Sequence, residues 1–186
     1  MDKEIITAVA LGIGLSASTG FRVFVPLLIA GAAARFGILP MNESFSWLSS
    51  NAGLGSLGVA TVVEIAAYYI PFVDNLLDHI STPLSIGAGT LISASVLPID
   101  NEIVKWLSSL VLGGGSAALV QATTALLRLG SSGTTGGAAN FLLASGENIA
   151  AIVTPIFTIL LPLVMAILIL LTFWIAYRLI VRRRNV

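Results

Sequence analysis

Ile149-Ala-Ala-Ile-Val-Thr-Pro155-Ile-Phe-Thr-Ile-Leu-Leu-Pro162-Leu-Val-Met-Ala-Ile-Leu-Ile-Leu-Leu-Thr-Phe-Trp-Ile-Ala-Tyr177 carries no charged side chain and is closed by Arg178, Arg182, Arg183 and Arg184. About 20 apolar residues cross a hydrocarbon core as a helix, so this run predicts a membrane span with tilt or a kink, Pro155 and Pro162 being the kink points. Positively charged flanks stay on the cytoplasmic side during insertion, which predicts a cytoplasmic C-terminus.

The rest of the chain agrees. Of its 186 residues 56% are hydrophobic and only 10% charged, against roughly a quarter charged in soluble domains, and the mean hydropathy is +1.00. The expectation is one integral membrane domain over residues 1–186, in contact with lipid. Zero formal charge gives no support for nucleic-acid binding, and the absence of cysteine excludes disulfides, thiolate metal sites and thiol catalysis. Ile5–Leu15 followed by Ser16-Ala17-Ser18 has the outline of a signal peptide. Asp2 and Glu4 beside Lys3 remove the usual positive n-region, so the first helix is expected to stay.

Apolar segments lie near Ile5–Phe36, Leu54–Val73, Ile80–Leu97, Ile103–Leu129 and Ile149–Ile180, helical rather than alternating in pattern. The connections follow Gly37 and then fall at the acidic corner Asp74–His79, at Pro98–Glu102 and at the Gly/Ser/Thr tract Gly130–Asn140. The fold class is therefore all-α, a polytopic transmembrane bundle of five or six spans. Ile5–Phe36 as one helix would measure on the order of 48 Å against a core of about 30 Å. It is either one kinked helix or two short ones broken at Ser16–Gly20. Five spans put the N-terminus outside, and six put both termini inside. A cytoplasmic C-terminus places Lys105 and Arg35 inside and Asp74, Asp78 and Glu147 outside, with Arg128 as the exception.

A faint internal repeat runs through the chain. Asp2-Lys3-Glu4-Ile5-Ile6 recurs as Asp100-Asn101-Glu102-Ile103-Val104, Leu11–Gly14 as Leu112–Gly115, and Ile70–Val73 as Leu161–Val164. Chance similarity among small-residue helices explains it equally well. If it is real and its first copy has three spans, halves 1–98 and 99–186 are inverted copies, a recurring transporter plan. Gly12, Gly14, Ser16–Ser18, Gly20 and Gly113–Ala118 have a plainer role as close helix contacts, and such faces also permit a homo-oligomer.

Three groups carry the candidate chemistry. Glu64 lies mid-segment, where a carboxylate costs about 2.5–3.5 kcal/mol at the bilayer centre, so it should point inward. It is either a proton or cation site or a structural partner, with Arg22 as the candidate pair. Asp74 and Asp78 share a helical face beside His79 and could hold a divalent cation or relay protons, although an ordinary polar corner explains them as well. The last group is Gln121, Thr123, Thr124 and Arg128, followed by Asn140, Ser145, Glu147 and Asn148. The glycine-rich tract between lacks the Lys-Ser/Thr ending of a phosphate loop, and Glu147 reads as dipole compensation at a helix start. Nothing here calls for a cofactor.

Ile70–Pro83 with Gly87-Ala-Gly89, and Gly113–Arg128 leading to Leu143-Ala-Ser145-Gly-Glu147-Asn148, resemble a bacterial membrane family of unknown function, domain of unknown function 4126. Its members often carry Glu-Asp where this chain has Glu147-Asn148, and a lysine near Thr123-Thr124, so both departures remove charge. The resemblance implies a multi-span protein of the prokaryotic cytoplasmic membrane and no established activity.

The expected function is a transporter or permease for a small solute, ion or proton, with Glu64, Arg22, Asp74, Asp78, His79, Gln121, Asn140 and Glu147 near the pathway. The alternative is a scaffold or assembly factor that organises partner proteins or lipids. An enzyme is not expected, since no nucleophile and base stand at recognisable spacing.

Overall fold

The computed structural model describes residues 2–135 and 139–184, without the side chains of residues 2, 71, 72, 74–76, 78, 79, 176 and 179–184. Among the described residues every regular element is helical. In order they are α1 (Asp2–Thr19), α2 (Phe24–Arg35), a 3₁₀ helix (Glu43–Ser49), α3 (Asn51–Ala67), α4 (Pro71–Val96), α5 (Glu102–Ser109), a π turn (Leu110–Gly114), α6 (Gly115–Thr135), α7 (Asn140–Leu160) and α8 (Pro162–Arg184).

Local chemistry sets the boundaries. The first apolar segment is two helices, because at Gly20 any Cβ would come within 2.6 Å of Ala117 O and the chain turns there. Ser50 Oγ accepts from Gly53 N at 3.0 Å and starts α3, while Asn101 Oδ1 accepts from Val104 N at 3.0 Å and starts α5. Pro71 opens α4 at a position where its missing N–H costs nothing, so the backbone of the acidic corner Asp74–His79 is helical rather than a connection. The Gly/Ser/Thr tract also differs from expectation. Helix α6 runs through it to Thr135, with Thr134 and Thr135 hydroxyls donating to the carbonyls of Gly130 and Ser131 at 2.9 and 2.8 Å. The long C-terminal run breaks at Leu161 (φ −137°, ψ 64°), next to Pro162, into α7 and α8, and Pro155 stays inside α7.

Two helical stretches are long and apolar enough to cross a membrane, Glu102–Thr135 and Asn140–Leu160; α2, α3 and parts of α4 and α8 are shorter apolar helices. Helices α1 and α4 run antiparallel, since Ser16 Oγ donates to Gly89 O at 2.7 Å and Thr19 Oγ1 to Ser85 O at 3.1 Å. The α5–α6 helix runs parallel to α1, with Gly113 against Ser16 and Gly89, and Gly20 against Ala117 and Gln121. Successive helices from α1 to α7 therefore alternate in direction, counting α5–α6 as one. One end of the bundle gathers Lys3, Met41, Asn42, Val96 and Pro98, and the other gathers Arg22, Tyr68, Arg128 and Glu147.

The interior mixes an apolar core, with Leu15, Leu48 and Ile92 at its centre, with enclosed polar side chains, and large apolar side chains also stand outside. Ser16, Ser18, Thr19, Ser85, Ser93, Ser95, Ser109 and Thr158 are fully enclosed, while Val59, Val111, Leu129, Ile149, Leu168 and Trp174 stand on the surface. The similar stretches of the two halves open helices of different length. Both Asp2-Lys3-Glu4 and Asp100-Asn101-Glu102 lie at helix starts, but α1 has 18 residues and its counterpart continues through 34.

Candidate functional site

The chain reverses at Gly20–Val23 and leaves the first N–H groups of α2 without an intrahelical acceptor. Val23 supplies no side-chain cap. Glu64, three turns into α3, fills this gap. Its Oε1 accepts from Val23 N at 2.6 Å and its Oε2 from Phe24 N at 3.0 Å. Glu64 is thus an N-cap borrowed from another helix, and the contact binds α3 to α2.

Arg22 points the other way, and its partner is Glu147 rather than Glu64. Its Nη1 lies 2.7 Å from Glu147 Oε2 and also donates to Phe21 O at 2.8 Å; its Nε donates to Asn148 Oδ1 at 2.7 Å and its Nη2 to Ala144 O at 3.2 Å. Arg128 of α6 closes on the same carboxylate in a bidentate pair, through Nε to Oε1 at 3.1 Å and through Nη2 to Oε2. Arg22, Arg128 and Glu147 are only 2%, 4% and 8% exposed. Glu147 sits two turns inside α7, so it is the hub of an interhelical ion pair and not a dipole partner at the helix start.

Tyr68, the residue at the end of α3, completes the cluster. Both guanidiniums lie over its ring, at 3.7 Å for Arg22 and 4.7 Å for Arg128 from the centroid, an arrangement favoured by the negative face of the ring. Its hydroxyl meets Ser81 Oγ at 2.5 Å, and Ser81 donates to Leu77 O at 2.7 Å, tying α3 to α4. Asn148 Nδ2 donates to Tyr69 OH at 3.1 Å, which lies 3.2 Å from Ser145 Oγ.

Above Tyr68 the two helices part. Helix α3 packs against α2 and the 3₁₀ helix and scarcely against α4. The gap is a groove of about 630 Å³, with Val23 and Phe24 at its base, Gly55, Ser56, Val59, Ala60, Val63 and Ala67 along α3, and Leu77, Ser81 and Leu84 along α4. Its polar end is Glu64 and Tyr68. The guanidiniums do not line it, so the Tyr68 ring partitions the groove from the charge cluster.

Of the residues singled out in the sequence, Arg22, Arg128, Glu147 and Asn148 come together, and Glu64 holds the adjoining start of α2. The side chains of Asp74, Asp78 and His79 lie outside the described residues. Gln121 is buried against Gly20, about two turns of α6 before Arg128, and its backbone carbonyl accepts from Thr124 Oγ1 at 3.0 Å. Asn140 opens α7, two turns before Glu147, and donates to Ser132 Oγ at 3.3 Å. Sequence reasoning missed Tyr68, Ser81 and the pairing of Arg128. Its one usable signal was that Arg128 broke the charge bias, and a cation on the wrong side calls for a buried partner.

No curated protein and no solved structure matches the chain. A family match covers residues 9–182, nearly the whole length, and by it the chain belongs to the family described as domain of unknown function 4126.

Proposed function

We propose that this chain is a membrane permease for a small solute, crossing the bilayer six times with both termini cytoplasmic and admitting its solute through the groove between α3 and α4. The observation that carries this reading is the groove itself, a space of about 630 Å³ that ends on a buried carboxylate and on the tyrosine beneath two buried arginines. Volumes of about 300–1,000 Å³ with mostly apolar walls and a few convergent polar groups are typical of small-molecule sites.

The membrane setting is supported by the apolar exterior and the enclosed serines and charges, since polar side chains in lipid turn inward. Six crossings follow if α7 and α8 together make one broken crossing and α2, about 18 Å long from its 12 residues, makes a short one. In that arrangement Lys3, Arg35 and Lys105 share the cytoplasmic end with the C-terminal arginines, in keeping with the positive-inside bias. A cysteine placed at Lys3 should then react with an impermeant maleimide only from the cytoplasmic side; labelling from outside would favour five crossings.

The permease reading is tested in sealed liposomes, with pH-gradient-driven flux of an ion and metabolite panel measured for the wild type and Val59→Trp. Val59 faces the groove at 67% exposure, so the indole fills the space without touching the core. Loss of flux with unchanged unfolding temperature supports the reading. Equal flux in both proteins overturns the groove as the route.

A scaffold or assembly role is the second reading, favoured by the engagement of both Glu64 oxygens with the start of α2. It predicts that Glu64→Gln lowers stability and changes no flux. Neither reading assigns the chain a catalytic step.

A further inference from the structure

The groove follows the length of α3. Its α3 wall runs from Gly55 to Ala67, about 18 Å at 1.5 Å per residue. Its volume of about 630 Å³ and its carbon walls suit an extended hydrocarbon chain laid along α3.

The walls vary along this length. Val59, Ala60, Val63, Ala67, Leu77 and Leu84 offer only carbon. Val59, Val63 and Leu84 are also exposed, so the slot opens sideways onto the apolar exterior. The closed end carries oxygen. Each Glu64 oxygen accepts one backbone N–H, and a carboxylate has about four lone-pair sites, so acceptor capacity remains on the groove side. Ser81 spends its proton on Leu77 O, so the Tyr68 hydroxyl is the donor to Ser81 Oγ. Among the described residues at this end none offers a proton to a ligand, whereas an ammonium brings donors and no acceptor. Carboxylate and ammonium are complementary in charge, and the apolar surroundings strengthen the attraction.

We propose that the α3–α4 groove binds a single-chain amphipath drawn sideways from the bilayer, its tail along Val59 and Val63 and its cationic head at Glu64. The proposal rests on the permease reading for its membrane setting and names the class of molecule taken in. Tail burial supplies affinity at about 25 cal/mol per Å² of apolar surface relative to water, and the head supplies position. From the bilayer itself the tail gains little, so the head and the fit of the slot decide which molecules stay.

The experiment is photolabelling of the full chain in phosphatidylcholine nanodiscs with a dodecylamine bearing a diazirine on its tail. Adducts are mapped by mass spectrometry and competed with unlabelled dodecylamine, dodecanoate or butylamine. Adducts are expected on Val59, Val63 and Leu84, with dodecylamine competing at least tenfold better than dodecanoate and butylamine not competing. Val59→Trp should remove the adducts, and Glu64→Gln should bring the two twelve-carbon competitors within about threefold of each other. Labelling spread evenly over the outer faces of α5, α7 and α8, labelling that survives Val59→Trp, or equal competition by dodecanoate would overturn the proposal. Should Glu64→Gln fail to fold, the Val59→Trp and competitor comparisons decide alone. Specific labelling without flux in liposomes overturns the permease reading and leaves this site standing, whereas flux indifferent to dodecylamine overturns this site and leaves the permease reading.

Discussion

Glycine does opposite things in two regions of this molecule. Along the seam between α1, α4 and the π turn, Gly12 is covered by Ser93, and Gly113 by Gly89 O and Ser93. A Cβ there would collide with a neighbour. On α3, Gly55 and Gly58 have nothing within 4 Å of where a Cβ would stand. The seam uses glycine to let backbones touch, which is how helices associate where lipid removes the hydrophobic drive. In α3 the missing side chains leave a face open. The same residue type thus marks both close and open packing in the bundle, and composition alone does not distinguish them.

The charge cluster joins the two regions, so its loss should have the largest effect. Glu147→Ala leaves Arg22 and Arg128 buried over the Tyr68 ring without their shared carboxylate. Breaking a buried ion pair from one side typically costs about 3–5 kcal/mol. The variant is expected to unfold far below the wild type in thermal scans of the purified protein, or to fail to accumulate. The double variant Glu147→Ala/Arg22→Met should recover part of the loss, because it removes one stranded charge. A Glu147→Ala protein as stable as the wild type would mean that the cluster does not hold the seam and α3 together.

The seam comes next. Gly113→Ala sets a Cβ against the backbone of Gly89 and the Ser93 side chain, and overpacking of this kind costs about 1–3 kcal/mol. The backbone of α4 cannot rotate away as a flexible side chain could, so the upper half of that range is expected. Thermal unfolding again reads the loss. A neutral outcome would show that α4 and the π turn separate easily, and the contrast between seam and groove would weaken.

How much of this was legible beforehand depends on the range of the interaction. Helical class followed from segment length and from the absence of alternation, both local properties. Glu64 was singled out because a carboxylate in an apolar run must find a partner. That partner proved to be two backbone N–H groups on α2, which no side-chain pattern announces. Glu147 was assigned to the start of α7 because the Gly/Ser/Thr tract read as loop. The hydroxyl groups of Thr134 and Thr135 bond back to the preceding turn, α6 extends to Thr135, and Glu147 falls where Arg22 and Arg128 reach it. Tyr68 was invisible for another reason. A tyrosine at a helix end is ordinary, and only the meeting of the α1–α2 turn with α6 gives its ring two cations.

Glu64 separates the two regions at their boundary. Glu64→Ala removes the acceptor for both Val23 N and Phe24 N, and loss of an N-cap costs about 0.5–2 kcal/mol. The effect should be smaller than that of Glu147→Ala, because backbone N–H groups carry only partial charge. Hydrogen exchange at Val23 and Phe24 gives the local readout, faster in the variant, with Ser16 to Thr19 unchanged. Faster exchange throughout α1 would mean that the seam depends on this cap and is not an independent unit.

The smallest effect belongs to the open face. Glycine in a helix interior is less favourable than alanine by about 0.5–1 kcal/mol, chiefly through backbone entropy. At Gly58 nothing stands within 4 Å to oppose a methyl group. Gly58→Ala should therefore raise the unfolding temperature slightly, opposite in sign to Gly113→Ala although the chemical change is identical. It also leaves the groove alone, since Gly58 does not line it whereas Gly55 does. Gly55→Ala should gain the same stability and narrow the slot, so photolabelling by the dodecylamine probe should fall for Gly55→Ala and hold for Gly58→Ala. A fall in stability at Gly58 would mean that this face of α3 is covered in the membrane, by a second copy of the chain or by another protein, and that the looseness of α3 belongs to the isolated chain.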